Sequence, residues 1–276
     1  MVPIFFTKLF QPLSLFELAT LAQGYGVAGF DLAVRAGHPV NPDNVATALP
    51  EALALWRSEG LTVPLVTLET GATNPADEAT RRIFETCGEW GVPFIKLGYW
   101  TWQSGASYWE GVDAIRRDLE GFAKLAEATG VVALHHNHSD NCYGSNACGS
   151  MLLVKDFDPT LIGVYLDPGH LAVDGEWVPM ALAAVKDYLR IVAVKNVRWL
   201  PEAPSYRLPG TSPQWRPDWC QLEEGIVNWP EVIGFVKEAG FEGPINFHGE
   251  YSNLQEVAAV KAALGRDLAY LLPHLG

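Results

Sequence analysis

The sequence contains few basic residues and few cysteines. Lysine and arginine number 19 against 32 aspartates and glutamates, which gives a formal net charge of -13 at pH 7. Because nucleic-acid binding depends largely on Lys and Arg side chains that displace counterions, this charge argues against DNA or RNA as a partner. The four cysteines form no CxxC pair, and a domain of this size does not need disulfides. We therefore expect reduced thiols and a cytoplasmic protein.

Long apolar runs and nucleotide-binding motifs are also missing. No run approaches the roughly 18 to 20 apolar residues that a membrane helix requires, and Met1-Val2-Pro3 places no basic residue before the first apolar stretch. No P-loop occurs, and no GxGxxG motif opens the first predicted helix. We expect neither a membrane partner nor an export signal, and an open, doubly wound sheet is disfavoured.

The sequence does contain a regular alternation of strand-like and helix-like segments. The strands are predicted at Val2–Leu9, Phe30–Val34, Val63–Leu68, Phe94–Gly98, Val131–His136, Gly163–Asp167, Ile191–Lys195 and Pro244–Phe247. Segments with apolar residues at helical spacing, such as Pro42–Ser58 and Tyr108–Thr129, separate them. Short connections between such units force parallel pairing, so the pattern predicts an α/β protein with a (β/α)8 TIM barrel fold. We expect one domain over residues 1–276.

Titratable side chains stand where the predicted strands end. In the eighth strand, Ile245 and Phe247 suit the helix-facing side, which leaves Asn246, His248 and Glu250 on the pore-facing side. The same alternation places polar groups of other strands on that side: Asp31, Arg35, Glu69, Lys96, His136, His138, Asp167 and Lys195. Catalytic groups of barrel enzymes lie at the carboxyl ends of the strands, here called the mouth. We therefore interpret the mouth as an active site.

Four segments carry a resemblance to a known family: Val164-Tyr165-Leu166-Asp167-Pro168-Gly169-His170, Ala193-Val194-Lys195-Asn196, Leu222-Glu223-Glu224-Gly225 and Gly243-Pro244-Ile245-Asn246-Phe247-His248-Gly249-Glu250-Tyr251. With the order of elements, they resemble the xylose isomerase-like sugar phosphate isomerase/epimerase barrels over essentially the whole chain. The resemblance implies a (β/α)8 fold and usually one divalent metal, with Glu, Asp, His and Glu ligands from strands five to eight. It also implies isomerisation, epimerisation or dehydration of sugar-like substrates.

The metal ligands of that family are only partly retained. Its two glutamates fall on His136 and His248, its histidine falls on Ala193, and only Asp167 keeps its residue type. Two interpretations stay open. In the first, His136, Asp167 and His248, with or without Glu250, form a 2-His-1-carboxylate site for one divalent transition metal, Mn, Zn or Fe. In the second, the metal is lost and these side chains hydrogen-bond sugar hydroxyls.

The leading hypothesis is an isomerase, epimerase or lyase that acts on a polyhydroxylated carbonyl compound such as a sugar, sugar acid, inosose or keto-glycoside. Glu250 or Lys195 would remove a proton next to the carbonyl, and His170 would position a hydroxyl or return the proton. Arg35 is a candidate for binding a substrate carboxylate or phosphate, with a structural ion pair as the alternative. The other candidates for substrate binding are His138, Glu69, Lys96, Trp102 and Trp199. Glu69 and Lys96 could instead pair with each other.

A long Pro-rich segment, residues 197–227, follows the seventh predicted strand. It is too long for an ordinary connection between a strand and a helix, and it contains Trp199, Trp215 and Trp219. These rings suit either the CH faces of a sugar or contacts within a homo-oligomer, and the sequence leaves both open.

Two other functions are consistent with parts of the sequence. A sugar-binding or accessory subunit with a degenerate metal site would explain the altered ligands, although a purely structural barrel tends to fill this layer with branched apolar residues. Metal-dependent endonucleases share the superfamily, but the acidic charge argues against that activity.

Overall fold

The computed structural model of the protein describes residues 1–202 and 214–276. The barrel strands are β1 (Val2–Phe6), β2 (Gly29–Ala33), β3 (Thr62–Thr67), β4 (Phe94–Lys96), β5 (Val132–His136), β6 (Ile162–Leu166), β7 (Leu189–Val194) and β10 (Pro244–Phe247). All neighbours pair in parallel, and the barrel closes in the order β1-β10-β7-β6-β5-β4-β3-β2. The predicted (β/α)8 barrel is confirmed.

Helices surround the barrel, and local signals set their ends. They are α1 (Leu15–Tyr25), α2 (Val45–Ser58), α3 (Glu78–Trp90), α4 (Tyr108–Thr129), α5 (Ala147–Val154), α6 (Pro168–Asp174), α7 (Val178–Val185), α8 (Trp229–Glu238) and α9 (Val257–Leu275). Helix α1 begins with a capping box, in which Ser14 and Glu17 each accept the other's backbone N–H, and ends at Gly26 with φ 68°. Within the described parts of the chain, no helix combines the length and apolarity needed to cross a membrane.

The first strand is shorter than the sequence predicts. The apolar run Val2–Leu9 favours a continuous strand, but β1 ends at Phe6 and a 3-10 turn spans Thr7–Phe10. The Thr7 hydroxyl oxygen accepts the Ala33 N–H at 2.9 Å, which ties this turn to the end of β2. The turn brings Lys8 to the cavity at the mouth, where simple strand alternation does not place it.

The apolar core has two parts. Between strands and helices, Phe30 packs on Phe5 and Trp56 with ring centroids 5.3 and 4.6 Å apart. Inside the barrel, a separate apolar cluster consists of Leu65, Leu134, Tyr165, Ile191 and Ala193. One alternation further along the strands, the buried residues become polar, as at Thr67 and Asn246. Polar side chains therefore form the floor of the mouth, and the apolar cluster lies beneath them inside the barrel.

An antiparallel hairpin follows β7. Strand β8 (Asn196–Pro201) pairs with β9 (Trp215–Cys220), with Trp199 opposite Pro217. The buried Asn196 amide binds backbone groups of Val197, Leu222 and Val227, which joins the hairpin to the turn before α8. Of the predicted loop segment 197–227, residues 203–213 lie outside the described residues.

Candidate active site

Asn137 holds the carboxyl ends of β5 and β6 together. Its Oδ1 accepts the Asp167 N–H at 2.7 Å, and its Nδ2 donates to the Asp167 carbonyl at 3.2 Å. Asp167 then caps the N-terminus of α6, with Oδ1 accepting the His170 N–H at 3.1 Å. This arrangement leaves Oδ2 of Asp167 directed to the mouth, where the ammonium of Lys195 meets it.

Lys195 lies at the centre of a buried group of charges. Its Nζ is 3.3 Å from Oδ2 of Asp167, 3.2 Å from Oε2 of Glu250 and 2.7 Å from Nε2 of His170. It also lies 4.2 Å from the ring centroid of Trp219, which the hairpin brings over the mouth. Burial lowers the pKa of Lys195, but the Asp167 and Glu250 carboxylates raise it more, and the net shift is upward. Lys195 is therefore a fixed ammonium group.

Glu250 is bound on both carboxylate oxygens. Lys8 lies 2.6 Å from Oε1 and Lys195 lies 3.2 Å from Oε2, while Nδ1 of His248 lies 3.7 Å from Oε2. Burial raises the pKa of Glu250, but Lys195, His248 and Lys8 hold it well below its ordinary value. Both carboxylate oxygens face cations, so acceptance of a substrate proton would cost one of these ion pairs. This disfavours the sequence-based role of Glu250 as the base.

Each of the two histidines predicted as metal ligands has one ring nitrogen bound to a tyrosine hydroxyl. The Tyr99 hydroxyl lies 2.8 Å from Nδ1 of His136, and the Tyr165 hydroxyl lies 2.6 Å from Nε2 of His248. The other ring nitrogen of His136, Nε2, lies 3.4 Å from Oδ2 of Asp167. Burial lowers the pKa of both imidazoles, so both rings are neutral near pH 7. Each neutral ring has one nitrogen bound to a tyrosine and one left for the mouth.

His138 and His170 stack beside Lys195 with ring centroids 4.0 Å apart. Nδ1 of His138 lies 3.0 Å from the Ser139 carbonyl oxygen, which only accepts hydrogen bonds, so this nitrogen carries the ring proton. Burial, followed by the charge of Lys195, lowers the pKa of His138 to about 4. Its Nε2 therefore keeps a lone pair, and no described residue binds that atom. Both nitrogens of His170 are engaged, Nε2 by Lys195 and Nδ1 by the Ser139 hydroxyl at 2.8 Å.

The predicted metal ligands were compared with the donor set that a transition metal needs. Three of their buried atoms lack a hydrogen-bond partner among the described residues: Nε2 of His136, Oδ2 of Asp167 and Nδ1 of His248. Two imidazole nitrogens and a carboxylate oxygen fit Mn, Zn or Fe by donor chemistry. Nevertheless, residues 1–202 and 214–276 contain no group of three or more His, Cys, Asp or Glu side chains placed to hold a metal ion. In this structure the Lys195 ammonium is the cation beside Asp167, and the metal site stays a prediction.

A cavity of about 430 Å³ opens at the mouth, and its lining separates the sequence-predicted residues into two groups. Lys195, His170, His138 and Glu250 line it, together with Lys8 and Trp219. The sequence placed Asn246 on the pore-facing side without a role, and Lys8, Tyr99, Tyr165 and Ser139 were not selected as site residues. A hydroxyl inside an otherwise apolar strand, as in Tyr165, is the local signal that could have indicated one of them.

The other eight predicted residues are not among those that line this cavity: His136, Asp167, His248, Arg35, Lys96, Glu69, Trp102 and Trp199. Glu69 accepts the Ala36 N–H at 2.6 Å and lines a separate cavity of about 330 Å³. Trp102 lines a neighbouring cavity of about 470 Å³, with its indole N–H donating to the Ala106 carbonyl at 3.0 Å. Trp199 is 37% exposed on the outer part of the hairpin, so Trp219 is the tryptophan of this segment that lies beside Lys195. Glu69 forms no ion pair with Lys96 in the described part of the chain.

The family model for the xylose isomerase-like TIM barrel matches residues 19–271. The chain belongs to this family. That membership confirms the resemblance noted in the sequence. No curated protein matches the sequence closely enough to add to the family model.

Solved structures of other xylose isomerase-like barrels superpose on nearly the whole chain. The 3-keto-D-glucoside 4-epimerase YcjR from E. coli has 16% identity and a TM-score of 0.73, with 99% of each chain covered. The probable 3-DHS dehydratase AsbF from Bacillus anthracis has 17% identity and a TM-score of 0.69, also with 99% of each chain covered. A xylose isomerase-like TIM barrel protein from Mycobacterium smegmatis, solved with magnesium, has 15% identity and a TM-score of 0.68, covering 100% of this chain and 98% of that chain. At these identities the likeness shows a shared fold.

Proposed function

We propose that the protein is a sugar isomerase- or epimerase-like enzyme that transfers a proton next to the carbonyl of a polyhydroxylated substrate. The observation that carries the proposal is the buried ammonium of Lys195, fixed beside two histidines on a cavity at the mouth. Perturbed titratable groups that converge on one cavity are typical of catalytic sites. Family membership, and neighbours that include an epimerase and a probable dehydratase, support the substrate class.

Lys195 is proposed to stabilise the negative charge that develops on the substrate carbonyl oxygen. Removal of a proton from the adjacent carbon produces an enediolate, whose oxygen needs a hydrogen-bond donor or a cation. The Lys195 ammonium is held for this role by Asp167, Glu250 and His170, and its raised pKa keeps it protonated. A group positioned in advance needs little reorganisation during the reaction. Glu250 accordingly acts as a positioning residue for Lys195.

His138 is proposed as the group that accepts the proton. Its Nδ1–H is fixed on the Ser139 carbonyl, and His138 lines the same cavity as Lys195. The low pKa of His138, about 4, keeps the ring unprotonated across the physiological range. His170 is hydrogen-bonded to Ser139 and Lys195. It therefore orients Lys195 directly and His138 through Ser139. The sequence-based assignment of His138 to substrate binding is thus extended to proton transfer.

A divalent metal remains part of the proposal as a cofactor, with His136, Asp167 and His248 as its ligands. Support comes from the buried atom without a hydrogen-bond partner on each of these residues. A bound divalent ion would supply Lewis-acid polarisation of a carbonyl or hydroxyl oxygen. Oδ2 of Asp167 also lies 3.3 Å from Lys195, so a divalent ion and the ammonium would share this carboxylate.

Proton exchange in deuterated water tests the proposed function directly. Ketoses, inososes and keto-glycosides are incubated with the protein, with and without added Mn²⁺ or Zn²⁺, and loss of the C–H signal next to the carbonyl is followed by NMR. We expect exchange with at least one substrate class. His138→Ala is expected to slow it by about 10²- to 10⁴-fold, the usual contribution of a general base.

Lys186→Met serves as the matched control, because it removes one exposed lysine from the end of α7 without touching the mouth. It should exchange at the wild-type rate. Absence of exchange across the whole panel, with either metal present, would refute the proposed activity. A His138→Ala variant that exchanges at the wild-type rate would remove His138 from the mechanism while leaving the activity in place.

A further inference from the structure

Arg35 lies just beyond the carboxyl end of β2. Its Nε donates to the Leu68 carbonyl at 2.9 Å, and its guanidinium carbon lies 5.5 Å from the centre of the Phe6 ring. The Phe6 ring in turn lies 5.3 Å from the ring of His248. The guanidinium is therefore half-buried next to the His248 side of the site, and its terminal amino groups make no hydrogen bond within the described residues.

Lys96 occupies the corresponding position at the end of β4. It is 2% exposed, and its single hydrogen bond, to the Leu97 carbonyl, is 3.4 Å long. The Nζ lies 4.0 Å from the centre of the Tyr99 ring, and Tyr99 binds His136. Lys96 thus flanks the His136 side of the site, as Arg35 flanks the His248 side. In the closed barrel order, β2 and β4 lie on the two sides of β3, which stands opposite β7.

Neither Arg35 nor Lys96 forms a direct ion pair within residues 1–202 and 214–276, although the Asp31 carboxylate attracts both and Glu250 attracts Lys96. Asp31 is the nearest candidate, but its oxygens accept hydrogen bonds from the Thr67 hydroxyl at 2.7 Å and the Asn246 amide at 2.8 Å. Burial raises the pKa of Asp31 to about 7, although these hydrogen bonds and the charges of Lys96 and Arg35 oppose the rise.

The local charge is opposite to that of the whole molecule. The chain has a net charge of -13, yet Arg35 and Lys96 repel each other at the mouth, and the described residues offer neither a direct ion pair. Burial, followed by the repulsion of Arg35, lowers the pKa of Lys96 to about 7. A buried cation without a partner is unfavourable, so its retention is explained most simply by a ligand that brings a negative charge.

We propose that Arg35 and Lys96 bind an anionic oxygen group of the substrate, a carboxylate or a phosphate, at the side of the mouth across from Lys195. The inference rests on the proposed function, since it assigns a substrate group to the same site. The guanidinium offers paired N–H donors that match two anionic oxygens, and Lys96 adds a point charge. The substrate class is accordingly an acidic sugar derivative rather than a neutral sugar.

Equilibrium binding of three non-reacting polyols tests the proposal. Glucitol, gluconate and glucitol 6-phosphate share a hydroxylated chain and differ in the group at one end, and their affinities are measured by calorimetry and by thermal stabilisation. We expect gluconate or the phosphate to bind at least tenfold more tightly than glucitol. The acid that binds more tightly than glucitol shows whether the site takes a carboxylate or a phosphate.

The variants Arg35→Gln and Lys96→Met should each reduce this preference to about twofold or less. Lys186→Met, which also removes one positive charge, should keep the preference and thereby exclude a general charge effect. Folding of each variant is checked by circular dichroism and by the midpoint of thermal unfolding. Failure of both acids to bind better than glucitol would overturn the proposal, as would a preference that survives in both variants.

These binding measurements need no turnover, so their outcome is separate from that of the proposed function. Absence of deuterium exchange together with an acid preference that depends on Arg35 and Lys96 would overturn the activity and keep the anion site. Exchange on neutral substrates without any acid preference would overturn the anion site and keep the activity.

Discussion

Among single residues, Lys195 controls the charge balance of the site. Its ammonium is 3% exposed and faces Asp167 and Glu250 at 3.3 and 3.2 Å. Removing one partner of such a buried pair costs about 3–5 kcal/mol, because the other charge stays buried. Lys8 contacts the same Glu250 but is 40% exposed, and exposed pairs contribute only about 0–1 kcal/mol. Lys8 is therefore the partner that a substrate can replace at low cost.

Lys195 and a divalent cation compete for Asp167 in the proposed site. This competition can be measured as a metal affinity, without an activity assay. In Lys195→Met, the Asp167 carboxylate faces no ammonium. We expect Mn²⁺ or Zn²⁺ to bind at least about tenfold more tightly, since removal of an adjacent unit charge changes the interaction by more than about 1.4 kcal/mol. Equilibrium dialysis followed by elemental analysis gives the affinity and the stoichiometry.

The double variant Lys195→Met/His136→Ala provides the control for this measurement. It removes both the competing charge and one predicted ligand, so it should lose the gain in metal affinity. A Lys195→Met protein that binds no more metal than the wild type would contradict the assignment of Asp167 as a ligand. Circular dichroism establishes first that each variant is folded.

Strand parity in the sequence identified many of the residues at the mouth, but not their partners. Alternation along β5 and β10 places His136 and His248 on the inner side, and the structure brings both to the mouth. The same alternation places Tyr165 on the inner side with Asp167, but it does not show that the Tyr99 and Tyr165 hydroxyls bind those histidines. Hydrogen bonds between strands depend on register and on rotamers, which a single sequence pattern does not specify.

At the level of elements, the hairpin β8–β9 is the feature that positions Trp219 over Lys195. Its link to the barrel is the Asn196 amide, whose four hydrogen bonds run to Val197, Leu222 and Val227. Gly225 leaves room for that amide, because a Cβ at position 225 would stand 2.2 Å from Cγ of Asn196. The amide is held too firmly to move aside at low cost.

Gly225→Ala is therefore expected to destabilise the protein by about 1–3 kcal/mol, the usual cost of forcing extra volume into a packed site. It should also lower proton-exchange activity, since displacement of Asn196 shifts the adjacent Lys195. The free energy of unfolding in urea measures the first effect. Gly234→Ala in α8 is the matched control: a Cβ there meets no atom within 4 Å, and stability should be unchanged or higher. Equal stability of both variants would contradict this account of the hairpin.

The sequence predicted the barrel elements well and the hairpin not at all. Apolar runs with helical segments between them have a local period, and this period is enough to indicate eight parallel strands. Residues 196–220 lack such a period, because β8 and β9 are stabilised by pairing with each other and by the Asn196 amide. The 3-10 turn after β1 was missed for a similar reason, since the contact of Thr7 with Ala33 is not visible in the local pattern.

For the whole molecule, the many buried imidazoles make stability dependent on pH. Burial lowers the pKa of six histidines, to about 4 for His135 and His138: His38, His135, His136, His138, His170 and His248. A group with a lower pKa in the folded state stabilises the fold above its unfolded value, about 6.5, and this contribution is lost as pH falls toward the folded value. Burial also raises the pKa of Asp31 to about 7, of Asp267 to about 6 and of Asp174. These three shifts have the opposite effect, because they make the fold more stable as pH falls. Because six histidines lower the stability on acidification and only three aspartates raise it, the free energy of unfolding falls as the solution becomes more acidic.

We therefore expect the free energy of unfolding to fall by at least about 2 kcal/mol between pH 7 and pH 5, with uptake of protons on unfolding. Urea titrations at several pH values measure the change, and calorimetry in buffers of different ionisation enthalpy counts the protons. His135→Gln isolates one contribution outside the active site, because His135 packs behind the barrel wall against Trp100. Loss of that single titration should flatten the pH dependence by up to about 1.4 kcal/mol per pH unit. Stability that stays constant or rises from pH 7 to pH 5 would contradict the neutral state of the buried histidines, and with it the lone pair that the proposed mechanism assigns to His138.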